Sequence, residues 1–209
     1  QDARSRDAAQ ATLNAARTIA GLTRKLHGAT QPGQTLPAGA ETCRARGALS
    51  AAATAISYLL PPGVRFSAPD DIPDVAARMS QPALESAIVN LARNACDAMG
   101  AGGTLSLSAS CKIHAGPVAM RTGSCPAGAF LRVRVRDTGH GMDAATLARA
   151  CERAFTTKSD RGGSGLGLAN VAAALAQAGG GLDIASRPGR GTRVDLFVPV
   201  IGPDAADPH

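Results

Sequence analysis

Apolar positions along the chain recur at helical intervals in some stretches and alternate with polar residues in others. Between residues 4 and 30, Leu13, Ala16, Ile19, Ala20, Leu22 and Leu26 keep mainly helical spacing with no proline among them, which predicts one long amphipathic helix. Residues 31–40 then carry two Pro and two Gly, the chemistry of a linker. A helix is predicted over 48–60, ended by Pro61, Pro62 and Gly63, followed by a short strand over 64–68. Ser80 offers an N-cap and Pro82 sits in the first turn of a helix that runs to Met99 and stops at Gly100, Gly102 and Gly103. Alternation predicts strands over 104–109 and 130–135, with a Gly- and Pro-bearing loop between them. Helices over 144–153 and 166–178 follow, and the turn Pro188-Gly189 joins strands over 181–185 and 192–200 into a hairpin. Helices interleaved with hairpin-connected strands imply an α+β fold: a two-layer α/β sandwich with one mixed sheet and helices on one face.

Composition supports a packed domain without deciding its chemistry. The 209 residues are 44% hydrophobic and 18% charged, enough apolar surface to exclude wholesale disorder. Aromatics make up 2% and Trp is absent, so the core must be aliphatic and rich in Ala. The length suits one domain plus an appendage. A surplus of 22 basic over 16 acidic residues gives a formal charge of +6 and suggests a polyanionic partner. The basic residues are scattered and not interleaved with aromatics that could stack on bases, which argues against nucleic acid. Five cysteines without CxxC spacing argue against a disulfide framework or a structural zinc, and point to a reducing, cytoplasmic compartment. No apolar run approaches the ~18 residues needed to span a bilayer, so no direct membrane insertion is expected, although a parent protein could still be membrane-anchored.

Four short blocks carry chemistry. Asn90, Asn94 and Asp97 are spaced i, i+4, i+7 and project from one face of the helix beginning at Ser80. Amides and a carboxylate there suit a hard cation such as Mg²⁺, while the plain alternative is a solvated polar face. Asp137 ends the 130–135 strand and leads into Gly139, His140, Gly141 and Met142. A carboxylate at a strand end can accept a hydrogen bond from an exocyclic amine, and glycines let backbone approach a ring. In a third block Phe155, Thr156, Thr157 and Lys158 precede Gly163, Ser164, Gly165, Leu166, Gly167 and Leu168 at the start of a helix. Its free N–H groups and dipole can receive phosphate oxygens, with Lys158 as a cation; an ordinary surface loop is the rival reading. Neither GxGxxG nor a P-loop is present. Last, Gly191-Thr192 opens the final strand, a pattern shared with ordinary hairpins.

Together these blocks resemble the ATP-binding catalytic domain of bacterial two-component sensor histidine kinases, within the superfamily that includes gyrase, the MutL ATPases and the large heat-shock chaperone ATPases. The match is to an asparagine box from Asn90 to Met99, a glycine box from Asp137 to Met142, a phenylalanine box from Phe155 to Lys158, a second glycine box from Gly163 to Leu168, and Gly191-Thr192. The resemblance divides the chain into part of a dimerisation hairpin (1–31), a linker (32–44), the catalytic domain (45–201) and a tail (202–209). It implies a Bergerat-type sandwich holding ATP and Mg²⁺, with Asp137 on the adenine amine, and Asn94 with Asn90 as metal ligands and catalytic residues. A lid from Thr156 to Ser164 would cover the phosphates with Lys158 beside them, Gly165 and Gly167 would offer backbone N–H groups, and Thr192 would lie near the adenine. Implied partners are a response-regulator receiver domain and the dimerisation helices of the same parent protein as a homodimer.

Two positions qualify the resemblance. Where ATPase relatives carry a glutamate one turn before the Mg²⁺ asparagine, this chain has Asn90, which cannot act as a general base on water. Transfer to a histidine is therefore expected over hydrolysis. The expected acceptor, His followed by an acidic residue, is missing from residues 1–30, where His27 precedes Gly28 and Ala29. ATP binding with scarcely any self-phosphorylation is thus expected of this chain. A degenerate scaffold with the same fold, and an anti-sigma-type serine kinase, are the alternatives.

Overall fold

Pro and Gly punctuate the chain into short elements, and residue alternation decides which way each strand faces. A computed structural model describes residues 41–100, 102–156 and 165–201. In chain order these form β1 (Cys43–Arg44), α1 (Ala45–Ser57), β2 (Val64–Ser67), β3 (Ala76–Ala77), α2 (Gln81–Met99), β4 (Gly103–His114), β5 (Val118–Ala119), β6 (Ser124–Cys125), β7 (Gly128–Asp137), α3 (Ala144–Arg149), α4 (Gly167–Gln177), β8 (Gly181–Ser186) and β9 (Thr192–Ile201). All lie within one compact unit, Ala40–His209. The helix expected over 4–30, its linker and the tail lie outside the described residues.

The main sheet runs β1-β3-β9-β7-β4-β2, with β8 also paired to β9. It is mixed because β2 runs parallel to β4, whereas the other pairs are antiparallel. One sheet face, with Leu105, Leu107, Leu131, Val133, Val135, Leu182, Ile184, Val194, Leu196 and Val198, builds the aliphatic core with the helices. Alpha-2 stays helical through Leu84, Ala87, Ile88, Leu91, Ala92, Ala95 and Met99, all buried at three- and four-residue spacing, and it ends where Gly100 turns to φ 55°. Ser80 occupies the N-cap position without a side-chain capping bond; its carbonyl accepts from Leu84 N at 3.1 Å.

Several elements depart from the sequence pattern. Beta-4 continues past Ala109 to His114 because residues there still pair with β7 although Cys111, Lys112 and Ile113 are exposed, so the ladder outlasts the apolar signal. The helix expected over 144–153 stops at Arg149; three-residue bonds from Glu152 to Arg149 and from Phe155 to Glu152 then lead into Ala154 at φ 62°. Cys43 and Arg44, expected in the linker, pair with β3. The loop between β4 and β7 holds its own two-stranded sheet, β5-β6, which covers Phe130 and Phe197 on the far face of the main sheet with Cys125 and Met120. His114 stacks on Phe130 there, ring centroids 5.0 Å apart.

Candidate functional site

At the C-terminal end of β7 the sheet, α2 and the N-terminus of α4 leave a cavity of about 690 Å³. Asn90, Asn94, Asp97, Asp137, Gly141, Met142, Phe155, Thr156, Gly165, Gly167, Leu168 and Thr192 all line it, so blocks up to about a hundred residues apart in sequence meet at one place. Gly139 lies behind the wall and Leu166 precedes α4 with its side chain exposed. Thr157, Lys158, Gly163 and Ser164 lie outside the described residues.

Asp137 is the electrostatic centre of the site. Only 5% exposed, it accepts hydrogen bonds at Oδ1 from Gly139 N at 2.8 Å and Thr192 N at 3.2 Å, and Oδ2 accepts none from a described residue. Burial raises its pKa above the ordinary carboxylate value; the two backbone bonds and nearby His140 oppose that shift without cancelling it. The result is a fixed carboxylate with one oxygen held and the other at a cavity wall, suited to a directional N–H donor.

The glycines around it answer first to packing. A Cβ on Gly139 would lie 2.7 Å from the carbonyl of Ala98, where His140 N also bonds at 3.0 Å, so the loop docks directly on α2. Gly141, at φ 69°, would place a Cβ 2.0 Å from the carbonyl oxygen of Arg187. Close approach of backbone to backbone therefore requires glycine at both positions, and Gly141 also lines the cavity. Ser186, absent from the sequence-based site, ties the same corner together: its Oγ accepts from Met142 N at 2.8 Å and lies 2.9 Å from Thr192 Oγ1. A serine at a strand end carries no sequence signal for this role.

Alpha-2 presents a polar stripe to the cavity. Arg93 joins Asn90, Asn94 and Asp97 there, completing the i, i+3, i+4, i+7 pattern, and is the one Arg or Lys among the described lining residues. Its spacing puts it on the same helix face, although a pattern of oxygen ligands does not include it. A Cβ on Gly167, the first residue of α4, would contact Asn94 Nδ2 at 3.8 Å, so the open N–H groups of that helix start beside the Asn94 amide. Gly165, at φ 61°, packs against the backbone of Ala154 and Phe155, within 2.6–2.8 Å of where a Cβ would stand, which brings residues 156 and 165 to the same rim. Arg149 sits over the Phe155 ring at 4.2 Å. Among the described residues no group of three His, Cys, Asp or Glu could form a metal cage, and no helix is long and apolar enough to cross a membrane.

A helix-on-sheet cavity with a buried strand-end carboxylate, an asparagine-bearing helix and a glycine-led helix N-terminus is the arrangement of an ATP-binding α/β sandwich. Residues 79–201 match the family described as histidine kinase-, DNA gyrase B- and HSP90-like ATPase, and the chain belongs to it. Sensor histidine kinase ZraS of Escherichia coli O157:H7 is 34% identical over 137 residues, 66% of this chain and 26% of ZraS. Sensor kinase CckA of Brucella abortus (strain 2308) is 36% identical over 129 residues, 62% of this chain and 13% of CckA. The chain therefore spans about a quarter or less of these relatives. Among solved structures, the mycobacterial sensor histidine kinase MprB superposes with TM-score 0.60 at 20% identity, covering 78% of this chain and 98% of that one. Full-length ShkA, solved in complex with AMPPNP, gives 0.59 at 23% identity, covering 79% and 32%. At such identities these two speak for the fold.

Proposed function

We propose that this domain binds Mg-ATP and delivers its γ-phosphoryl group to a histidine on a dimerisation helix of the parent protein, from which an aspartate of a response-regulator receiver domain takes it. The observation that carries this reading is the convergence on one cavity of buried Asp137, the Asn90–Asn94 face and the start of α4. Asp137 accepts the adenine amine at Oδ2, its Oδ1 being held by Gly139 and Thr192. Asn94, with Asn90 beside it, offers amide oxygens to Mg²⁺; such a sparse, hard donor set fits an ion that keeps waters and takes its other ligands from phosphate. When bound, the ion neutralises charge on the phosphate oxygens. Gly165, Gly167 and Leu168 bring backbone N–H groups to the triphosphate, and Arg93 adds a permanent cation on the rim.

Positioning and charge neutralisation then account for the chemistry. The bond from the γ-phosphorus to ADP breaks as a nitrogen–phosphorus bond to imidazole forms. Asn90 holds no basic lone pair able to take a proton from water, so no residue at that position activates hydrolysis. Work in a reducing cytoplasm suits the five free thiols. Equilibrium binding of a fluorescent ATP analogue to the full chain, with Mg²⁺ and with chelator, tests the reading. Binding strengthened by Mg²⁺, with that strengthening lost in Asn94→Ala, is expected; absence of nucleotide binding by the unaltered chain in both conditions overturns it.

A further inference from the structure

Nucleotide binding leaves most of the arginine surplus without a task. Strand alternation places Arg65 of β2, Arg132, Arg134 and Arg136 of β7, and Arg193 of β9 on the sheet face opposite the helices. In register, Arg136 stands beside Arg193 and Ser106, Arg134 beside Asp195 and Ser108, and Arg132 beside Ser110. The acids among them are Asp195 and Asp183, and both are engaged. Asp195, 3% exposed, accepts from Arg134 Nε at 2.6 Å and Nη2 at 2.9 Å and lies 3.3 Å from Arg193 Nε; Asp183 lies 3.9 Å from Arg193.

Five guanidinium groups thus face two carboxylates, one of them nearly saturated. The imbalance is felt within the face: burial and the charges of Arg134 and Arg193 lower the pKa of Arg132, with Asp195 opposing. The Nε groups of Arg132 and Arg193 are buried and find no aligned hydrogen-bond acceptor among the described residues, Arg193 Nε keeping only its ion pair with Asp195. Beta-5 and β6 cover the other end of this face over Phe130 and Phe197 and leave Ser108 and Arg136 exposed.

We propose that this arginine face is a docking surface for an acidic segment of a protein partner, whose carboxylates meet the exposed forks of Arg65 and Arg136 and the half-exposed side chains of Arg132 and Arg193. Charge complementarity selects an anion, and the geometry selects the class. Arg132, Arg134 and Arg193 are half-buried residues of the sheet face, and the two-point pairing of Arg134 with Asp195 shows the planar carboxylate acceptor that such forks suit. No exposed aromatic stands among these rows to stack on a base, the nearby Phe130 and Phe197 being buried, and no exposed large apolar side chain stands there to enter a lipid surface.

The test is fluorescence anisotropy of a labelled polyglutamate peptide titrated with the full chain at low and at near-physiological salt. Arg132→Gln/Arg136→Gln should weaken peptide binding by about tenfold or more, the scale of one to two lost charge-assisted contacts. Arg65→Gln/Arg136→Gln, which changes two exposed residues, keeps the test valid should the half-buried Arg132 matter for folding. Arg44→Gln/Arg46→Gln, an equal loss of charge on β1 and α1, should change peptide binding little, and nucleotide affinity should hold in all three. The proposal fails if the chain does not bind the peptide, if the control pair weakens binding as much as the face variants, or if duplex DNA or phosphatidylserine vesicles bind this face more tightly than the peptide does.

Discussion

Replacing Asp137 by Asn keeps the shape of the side chain and inverts half of its chemistry. In Asp137→Asn, Oδ1 can still accept from Gly139 N and Thr192 N, which in the native site stand at 2.8 and 3.2 Å. The second oxygen becomes an NH₂ group, which would turn a donor toward the adenine amine in the proposed complex. Losing a hydrogen bond to a charged group and leaving a buried donor unpaired together cost roughly 3–5 kcal/mol, or about a hundred- to several-thousandfold in Kd for ATP. Stability should move the other way. Burial raises the native pKa of Asp137, so the unfolded state gives up its proton first and folding holds a penalised charge at neutral pH. That penalty is present above the raised native pKa and disappears below the ordinary carboxylate range. The variant should therefore melt above the native chain at pH 7, with the advantage shrinking as pH falls, while native ATP affinity declines over the same descent as the carboxylate takes up a proton. Calorimetric titration with ATP and thermal melts across pH check both arms. Native ATP affinity in Asp137→Asn refutes the adenine contact, and a lower melting temperature at pH 7 refutes the burial argument.

Further outcomes follow from the same geometry. Gly141→Ala meets the Arg187 carbonyl at 2.0 Å in a left-handed conformation, so a loss of about 2–4 kcal/mol is expected in denaturant unfolding. Arg93→Met should weaken ATP binding about two- to fivefold while leaving adenosine binding unchanged, since a rim cation acts only on the phosphates. Asn90→Glu installs the carboxylate that ATPase relatives carry there; phosphate-release assays should show faster ATP hydrolysis than in the native chain, and an unchanged rate would remove Asn90 from the account of what the site avoids. Arg149→Ala should cost about 0.5–1 kcal/mol through its lost contact with Phe155, read in thermal melts.

Much of the site could be read from residues because each block carries its own local signature. Pro82 and the buried stripe from Leu84 to Met99 announce α2, and alternation announces β7 and the hairpin of β8 and β9. What escaped depends on pairing across the chain. Two-residue strands such as Cys43–Arg44 and Ala76–Ala77 are too short for any period to register, and their place in the sheet rests on partners far away. The parallel pairing of β2 with β4 joins segments separated by a whole helix. Gly139, Gly141 and Gly191 could be seen to matter, but the reason, a carbonyl from another segment within reach of any Cβ, exists only once the backbone is folded. Arg93 and Ser186 have no motif letter to mark them.

Beta-9 pairs with β7 along one edge and with β8 and β3 along the other, and its first residue supplies the Thr192 N–H that holds Asp137. During synthesis that strand leaves the ribosome after every other described element. Until it arrives, β7 lacks a neighbour on one side, Asp137 lacks one of its two bonds, and the helices lack Val194, Leu196 and Val198 in the core beneath them. The nascent domain must then wait as an incomplete sheet with open edges, and its ability to hold nucleotide should appear abruptly once residues up to 201 have emerged.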